Sequence, residues 1–241
     1  MIQRILLTCG MAITLLLAAA CPSNAWNDRT HMAVVEAAGL PQMAYMAVGA
    51  DMAKEKAPDE MRNHYRNNDK GAVITAEMVL AQVPQYNKPE PYIGHLYGAI
   101  VASVESFREK KKNPAKYAWY PLGYAMHYIG DLSMPFHNID YDPFSRDNHG
   151  INDAVVENEP NLTAEIRSRM AKYPVRIDAK DFRQSLAAEV GRIATRSIAA
   201  GYRLKELNTP LMSKETAYDQ LAQSAALLRA ILISLEVAVG P

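Results

Sequence analysis

The sequence predicts an all-α protein, a single domain built as a multi-helix bundle. Three observations point there. Apolar residues recur at three- and four-residue spacing through nine successive stretches. Strictly alternating stretches, the mark of half-buried strands, are few and short. No Gly/Ser/Pro-rich linker or internal repeat divides the 241 residues, a length sufficient to bury one core.

Residues 1–25 stand apart from the fold. Arg4, the apolar run 5–20 and Cys21-Pro-Ser-Asn-Ala25 supply the basic, apolar and small-residue regions of a secretory signal. The run is short for a membrane span and is followed at once by turn-forming residues. Two processing sites compete: cleavage after Ser23-Asn24-Ala25, which makes Trp26 the first residue, and lipoprotein processing at Ala18-Ala19-Ala20-Cys21. The first is favoured, giving an exported chain of residues 26–241, periplasmic or secreted. Removing the signal takes away Arg4 from a balance of 26 Lys plus Arg against 26 Asp plus Glu, leaving a net charge of about −1. Both cysteines, Cys9 and Cys21, leave with it, so no disulfide can form and the core, with any bound metal, must hold the fold.

The helical stretches follow in order. Residues 30–38 begin beside His31, and 42–55 carry Asp51. After 72–84, the stretch 91–111 sets His95 beside Leu96 and Ala99, as an ordinary packed histidine would sit, and ends in the run Arg108 to Lys112, a solvated end where cations suit the helix dipole. Residues 116–133 are stopped by Pro135, which disfavours helical geometry at Met134. Then come 148–158 and 161–172. The alternating Pro174-Val-Arg-Ile-Asp178 is isolated and reads as an extended connector before 179–206. The last stretch, 213–238, has the clearest stripe, from Tyr218 through Leu221, Ala225, Leu228 and Ile231 to Leu235, with Ser213 as its start signal.

Chemistry concentrates in His127-Tyr-Ile-Gly-Asp131-Leu-Ser-Met-Pro-Phe-His137. His127 and Asp131, four apart, leave one helical face, and the bend at Pro135 presents His137 separately. Imidazole and carboxylate suit a zinc ion; a buried helix with a satisfied histidine at each end is the alternative for this stretch alone. His149 and Asp153 repeat the four-residue spacing. His31 lies five residues after Trp26, so a free terminal amine and carbonyl could chelate a metal beside it. Asp51 and His64 complete the pattern. No side-chain nucleophile competes, since the serines lack triad partners and no cysteine remains. Trp119, Tyr120, Phe136 and Tyr141 flank the cluster and could line a substrate cleft, with core packing the default expectation for each.

The order Trp26, His31, Asp51, His64, His127-x3-Asp131, His137, His149-x3-Asp153 resembles the superfamily of zinc-dependent bacterial phospholipases C and single-strand-specific zinc nucleases. The resemblance implies a helical domain with three zinc ions in one cleft. Trp26, His31 and Asp131 would hold one; Asp51, His64, His127 and the second oxygen of Asp131 another; His137, His149 and Asp153 the third. It also implies hydrolysis of a phosphodiester by metal-activated water, with Asp131 bridging two ions and Asp51 as a possible proton acceptor. Glu157 is an alternative last ligand, but on a continuing helix it lies about 12 Å beyond His149.

Substrate class is less determined. The five-residue step from Trp26 to His31 and the aspartate at 153 match the nucleases, whereas the phospholipases have a longer step and a glutamate. The short link 138–148, the missing cysteines and the near-neutral charge match the phospholipases, because polyanion binding favours a basic excess. The expectation is therefore a phospholipase C-like enzyme with transient membrane-surface contact. Arg29 stands near where those enzymes place an acid for choline, so a choline headgroup is not expected. The alternatives are a nuclease or 3′-nucleotidase acting on nucleic acid, and a non-catalytic zinc-binding helical protein.

Overall fold

The computed structural model describes residues 26–57 and 59–240; residues 1–25, expected to be a signal segment with Cys9, Cys21 and a cleavage site, lie outside them. The described elements are all helical, with no strand among them. In chain order they are α1 (Asp28–Ala37), a 3-10 helix (Pro41–Val48), α2 (Gly49–Lys54), a 3-10 turn (Glu60–Asn63), α3 (Ala76–Leu80), a second such turn (Val83–Gln85), α4 (Leu96–Lys112) and α5 (Tyr120–Ser133). A 3-10 turn (Pro135–His137) leads to α6 (Pro143–Asp153), then α7 (Leu162–Arg169), which ends in another (Met170–Lys172), then α8 (Phe182–Glu206) and α9 (Lys214–Ser234).

Helix α5 is the centre of the packing. Every residue from Ala125 to Ser133 is buried, against α4, α8, α9 and the first 3-10 helix. The apolar stripe of α9 is spent here: Leu221, Ala225, Leu228, Ile231 and Leu232 are fully buried, each Leu or Ile contributing on the order of 1.5–3 kcal/mol. A buried helix end needs partners for its last carbonyls, and α5 finds them on its neighbours. Ser197 donates to Leu132 O at 2.9 Å, Gln220 to Ser133 O at 2.9 Å, and Ser224 to Ile129 O. The polar positions inside α8 and α9 thus exist to finish α5.

Several boundaries differ from the sequence expectation, each for a local reason. The stretch 42–55 is a 3-10 helix before it becomes α2. Only 76–80 of 72–84 is α-helical, started by Thr75, whose hydroxyl accepts from Met78 N. Residues 91–95 are not helical, because Gly94 takes φ +80° against the Tyr65 backbone, where a side chain would overlap. Helix α9 stops at Ser234, and the chain runs on until Gly240 N bonds Gly39 O at 2.7 Å.

The largest correction concerns α6. It begins at Pro143, with Asp142 accepting from Ser145 N at 2.9 Å, and ends at Asp153, so 154–158 is not helix. Glu157 therefore does not extend along that helix. It caps α1, which lacks a side-chain cap of its own: Oε1 accepts from Arg29 N at 3.0 Å, and Oε2 accepts from Thr30 N at 2.9 Å and the Thr30 hydroxyl at 2.7 Å.

Candidate metal centre

Among the described residues, three buried groups of side chains could each hold a metal ion, with ligand atoms within 4.8 Å of one another in every group: His31, His127 and Asp131; Asp51, His64 and His127; His137, His149 and Asp153. These are eight of the nine residues expected from sequence, and the first two groups share His127. Asp131 stands between them. Its Oδ1 is 3.4 Å from His31 Nε2, while its Oδ2 is 3.0 Å from His64 Nδ1 and 3.3 Å from His127 Nε2.

The helices explain the convergence. Helix α5 delivers His127 and Asp131 one turn apart. Helix α1 lays His31 flat on His127, ring centroids 3.9 Å apart and 14° from parallel. That approach depends on Gly130, where a methyl group would overlap the His31 ring. Helix α2 supplies Asp51, whose Oδ1 lies 3.3 Å from His127 Nε2. In the third group, the turn after Pro135 presents His137, and α6 presents His149 and Asp153 with Nε2 and Oδ1 3.5 Å apart.

Outer partners fix the rings. His127 Nδ1 donates to Ala47 O at 2.7 Å, so Nε2 is the nitrogen left for the cluster. His137 Nδ1 donates to His64 O, aiming its Nε2 inward. His64 turns Nδ1 to Asp131 and Nε2 toward Glu60, 3.8 Å away; the Glu60 carboxylate is itself held by the Tyr128 hydroxyl and by Asn63 at 2.9 Å.

Whether these residues fit a cation can be judged from what they lack. Neither ring nitrogen of His31 makes a hydrogen bond, nor does Nε2 of His137 or Oδ2 of Asp51, although all are buried. Burying polar atoms without partners costs about 1–3 kcal/mol each, and bound cations remove that cost. The titration pattern agrees. Burial, reinforced by the neighbouring His127 charge, lowers His31 to about 3. Burial lowers His64 to about 4, against the pull of Asp131. It drives His149 well down and Asp153 well up, so that pair is pressed toward neutrality. His127 is the exception: burial would lower it, but Asp131 and Asp51 raise it to about 10, which favours its charged form between those two carboxylates. A divalent ion would supply that positive charge instead.

Trp26 is fully buried, and its indole nitrogen donates to Ser133 at 3.3 Å. Asn27 N approaches Asp153 O at 3.4 Å, so the chain at 26–27 runs between the end of α5 and the end of α6, both of which carry candidate ligands. His95 is outside the three groups, buried at the start of α4 and bonded through Nε2 to Asn63 Oδ1 at 2.9 Å. Phe136 packs in the core as expected, at 2% exposure, but Trp119, Tyr120 and Tyr141 do not, at 37%, 55% and 54%.

The second group, through His64, and the third, through His137 and His149, line a cavity of about 430 Å³. Lys54 and Arg62 add charge to its wall, and Tyr65, Tyr92 and Tyr141 add aromatic surface. Tyr141 was singled out in the sequence; Lys54, Arg62, Tyr65 and Tyr92 were not. Lys54, buried with its ammonium on Asp51 Oδ1, had a readable signal in its three-residue spacing from Asp51; Arg62, stacked over Tyr92 at 4.6 Å, had none. Comparison of the sequence with models of known protein families and with curated proteins finds no match.

Proposed function

We propose that this protein is an exported zinc-dependent phosphodiesterase that hydrolyses phospholipid headgroups in the manner of a phospholipase C. The observation that carries the reading is Asp131, fully buried between two candidate ion groups and bonded to His64, which itself lines a solvent-open cavity with cationic walls. His31 and Asp131, with the Trp26 amine once residues 1–25 are removed, would hold one ion; Asp51, His64, His127 and Asp131 a second; His137, His149 and Asp153 a third. Zinc held there would supply a nucleophilic water at neutral pH and neutralise charge on the phosphoryl oxygens.

The chain's own residues do the rest. Asp51 Oδ2, with no hydrogen-bond partner, is placed to accept a proton from water in the cluster. Lys54 holds a positive charge at the wall, where a phosphate oxygen would meet it, and Arg62 stands farther out. The same two cations disfavour a cationic headgroup, which agrees with Arg29 near the amino end in arguing against choline. Met61 and Ile93, exposed by 37% and 45% near the cavity, suit a substrate that brings apolar chains with it.

One observation favours a second reading. Tyr92 and Tyr141 are exposed beside Arg62, and aromatic faces interleaved with cations also bind single-stranded nucleic acid by stacking. Metal analysis of the purified protein, with parallel assays on phosphatidylglycerol, phosphatidylcholine and single-stranded DNA, tests both. Close to three zinc ions per chain and preferred cleavage of phosphatidylglycerol are expected. Cleavage of DNA alone would establish the second reading. Zinc at or below one per chain, or tight zinc without any hydrolysis, would overturn both.

A further inference from the structure

Residues 110–120, Lys-Lys-Lys-Asn-Pro-Ala-Lys-Tyr-Ala-Trp-Tyr, carry four lysines and no carboxylate. They join the end of α4 to the start of α5, outside the candidate metal centre. Lys110, Lys112 and Lys116 are exposed; of these, Lys112 alone has an ion pair, to Glu109 at 2.6 Å. Three large aromatic side chains follow in the open. Tyr117 and Tyr120 are more than half exposed and stack on each other at 5.3 Å, while Trp119 leans on Phe107 at 5.2 Å and keeps 37% of its surface exposed. The surface continues beyond the segment. Tyr120 shares a shallow cavity of about 450 Å³ with Tyr45 and Met52, exposed by 64% and 69%, and with Lys56. Met52 follows Asp51 directly on α2, so this helix turns one residue to the metal centre and the next to the patch.

Exposed apolar surface in one place calls for a partner. Tyr and Trp prefer the boundary between an apolar phase and water, and lysine stems lie along apolar surface while their charges reach anionic groups. We propose that residues 110–120, with Tyr45 and Met52 beside them, seat the protein on a bilayer surface bearing anionic lipid. The charge balance commits the surface to that partner: Lys56, Lys110, Lys112 and Lys116 face outward, and Glu55 and Glu109 are the acids nearest them in the chain. A nucleic acid fits less well, because Tyr117 and Tyr120 each cover one face of the other, leaving fewer ring faces for bases. The contact deepens the phospholipid reading but uses none of its residues, and it can be tested separately.

Tryptophan fluorescence reads the contact directly. The chain has two tryptophans, and Trp26 is fully buried, so a vesicle-induced change belongs to Trp119. With vesicles of phosphatidylglycerol and phosphatidylcholine, the purified protein is expected to co-sediment and Trp119 emission to shift to the blue. High salt or pure phosphatidylcholine should weaken both effects. The double variant Lys110→Glu, Lys116→Glu should bind about tenfold more weakly or worse. It should still hydrolyse a monomeric short-chain phospholipid at the original rate, which also shows that it folds. Vesicle binding without hydrolysis of any lipid would support this contact while removing the phospholipase reading. Protein that stays in the supernatant with anionic vesicles, or binds single-stranded oligonucleotides through these lysines instead, would overturn it.

Discussion

The backbone carbonyl of His64 accepts a hydrogen bond from Nδ1 of His137. One residue therefore serves two groups: the His64 ring faces Asp131 and Asp51, while its main chain sets the orientation of a candidate ligand in the group beside it. The three groups form one connected structure, and damage to one should reach the others unequally.

Asp131→Asn should be more harmful than Asp153→Asn. Asp131 presents one oxygen to each of two groups, and a neutral amide cannot bridge two cations, whereas Asp153 serves one. Zinc analysis should show the Asp131 variant losing more than one ion, and its rate should fall beyond the roughly 100-fold typical of changes outside the ligand shell. Equal metal content and equal residual rates in the two variants would refute the bridge.

Gly130→Ala tests the approach of α1 to α5. In an ordinary helix interior this change stabilises by about 0.5–1 kcal/mol. Here the new methyl meets the His31 ring, so the variant should lose zinc from the His31 group, keep the ion of His137, His149 and Asp153, and melt at a lower temperature. Normal metal content with a raised melting temperature would show that His31 has room to spare.

Much of this was legible in the sequence, and what was not has physical causes. The helical pairs His127/Asp131 and His149/Asp153 could be read because a four-residue spacing places two side chains on one face whatever the helix packs against. The start of α6 was missed because its signal is Asp142 and Pro143 rather than apolar periodicity, and few apolar residues mark this polar helix. The cap that Glu157 gives to α1 joins residues 127 and 128 apart in sequence, and no local pattern encodes such a contact. Gly130 was in view but silent, since its role depends on a ring brought in from another helix.

The amino end offers a third test. If the Trp26 amine binds zinc, a chain that keeps even one residue before Trp26 has an amide there, with no basic lone pair to donate. Such a chain should fold almost normally, since the ring still fills its buried site, but hold fewer zinc ions and turn over more slowly. Full zinc content and activity in the extended protein would remove Trp26 from the ligand set.

Stability against pH, measured by denaturant titration of chelator-treated protein, gives the fourth. His31 and His64 are lowered on folding to about 3 and about 4, so below pH 6.5 the unfolded chain binds protons that the folded one does not. Stability should fall as pH drops from 6.5 toward 4, by up to about 1.4 kcal/mol per unit for each group. His127, raised to about 10, contributes stability that is complete below 6.5 and lost as pH rises toward 10. Asp153, whose pKa is raised by burial, adds to the loss above the carboxylate range. Metal-free protein should thus be most stable near neutrality, and saturating zinc should flatten the acid side. A midpoint at pH 5 equal to that at pH 7 without metal would contradict the assignment.

The clasp between Glu157 and the first turn of α1 also bears on the order of events in folding. His31 sits one residue beyond Thr30, whose amide and hydroxyl are held by a carboxylate from the far half of the chain. Joining such distant segments is slow, because loop-closure entropy is spent before the contact returns anything. The pair His149 and Asp153 lies within a single helix and can take shape early. On refolding, the His31 group should therefore be ready for an ion later than the pair His149 and Asp153.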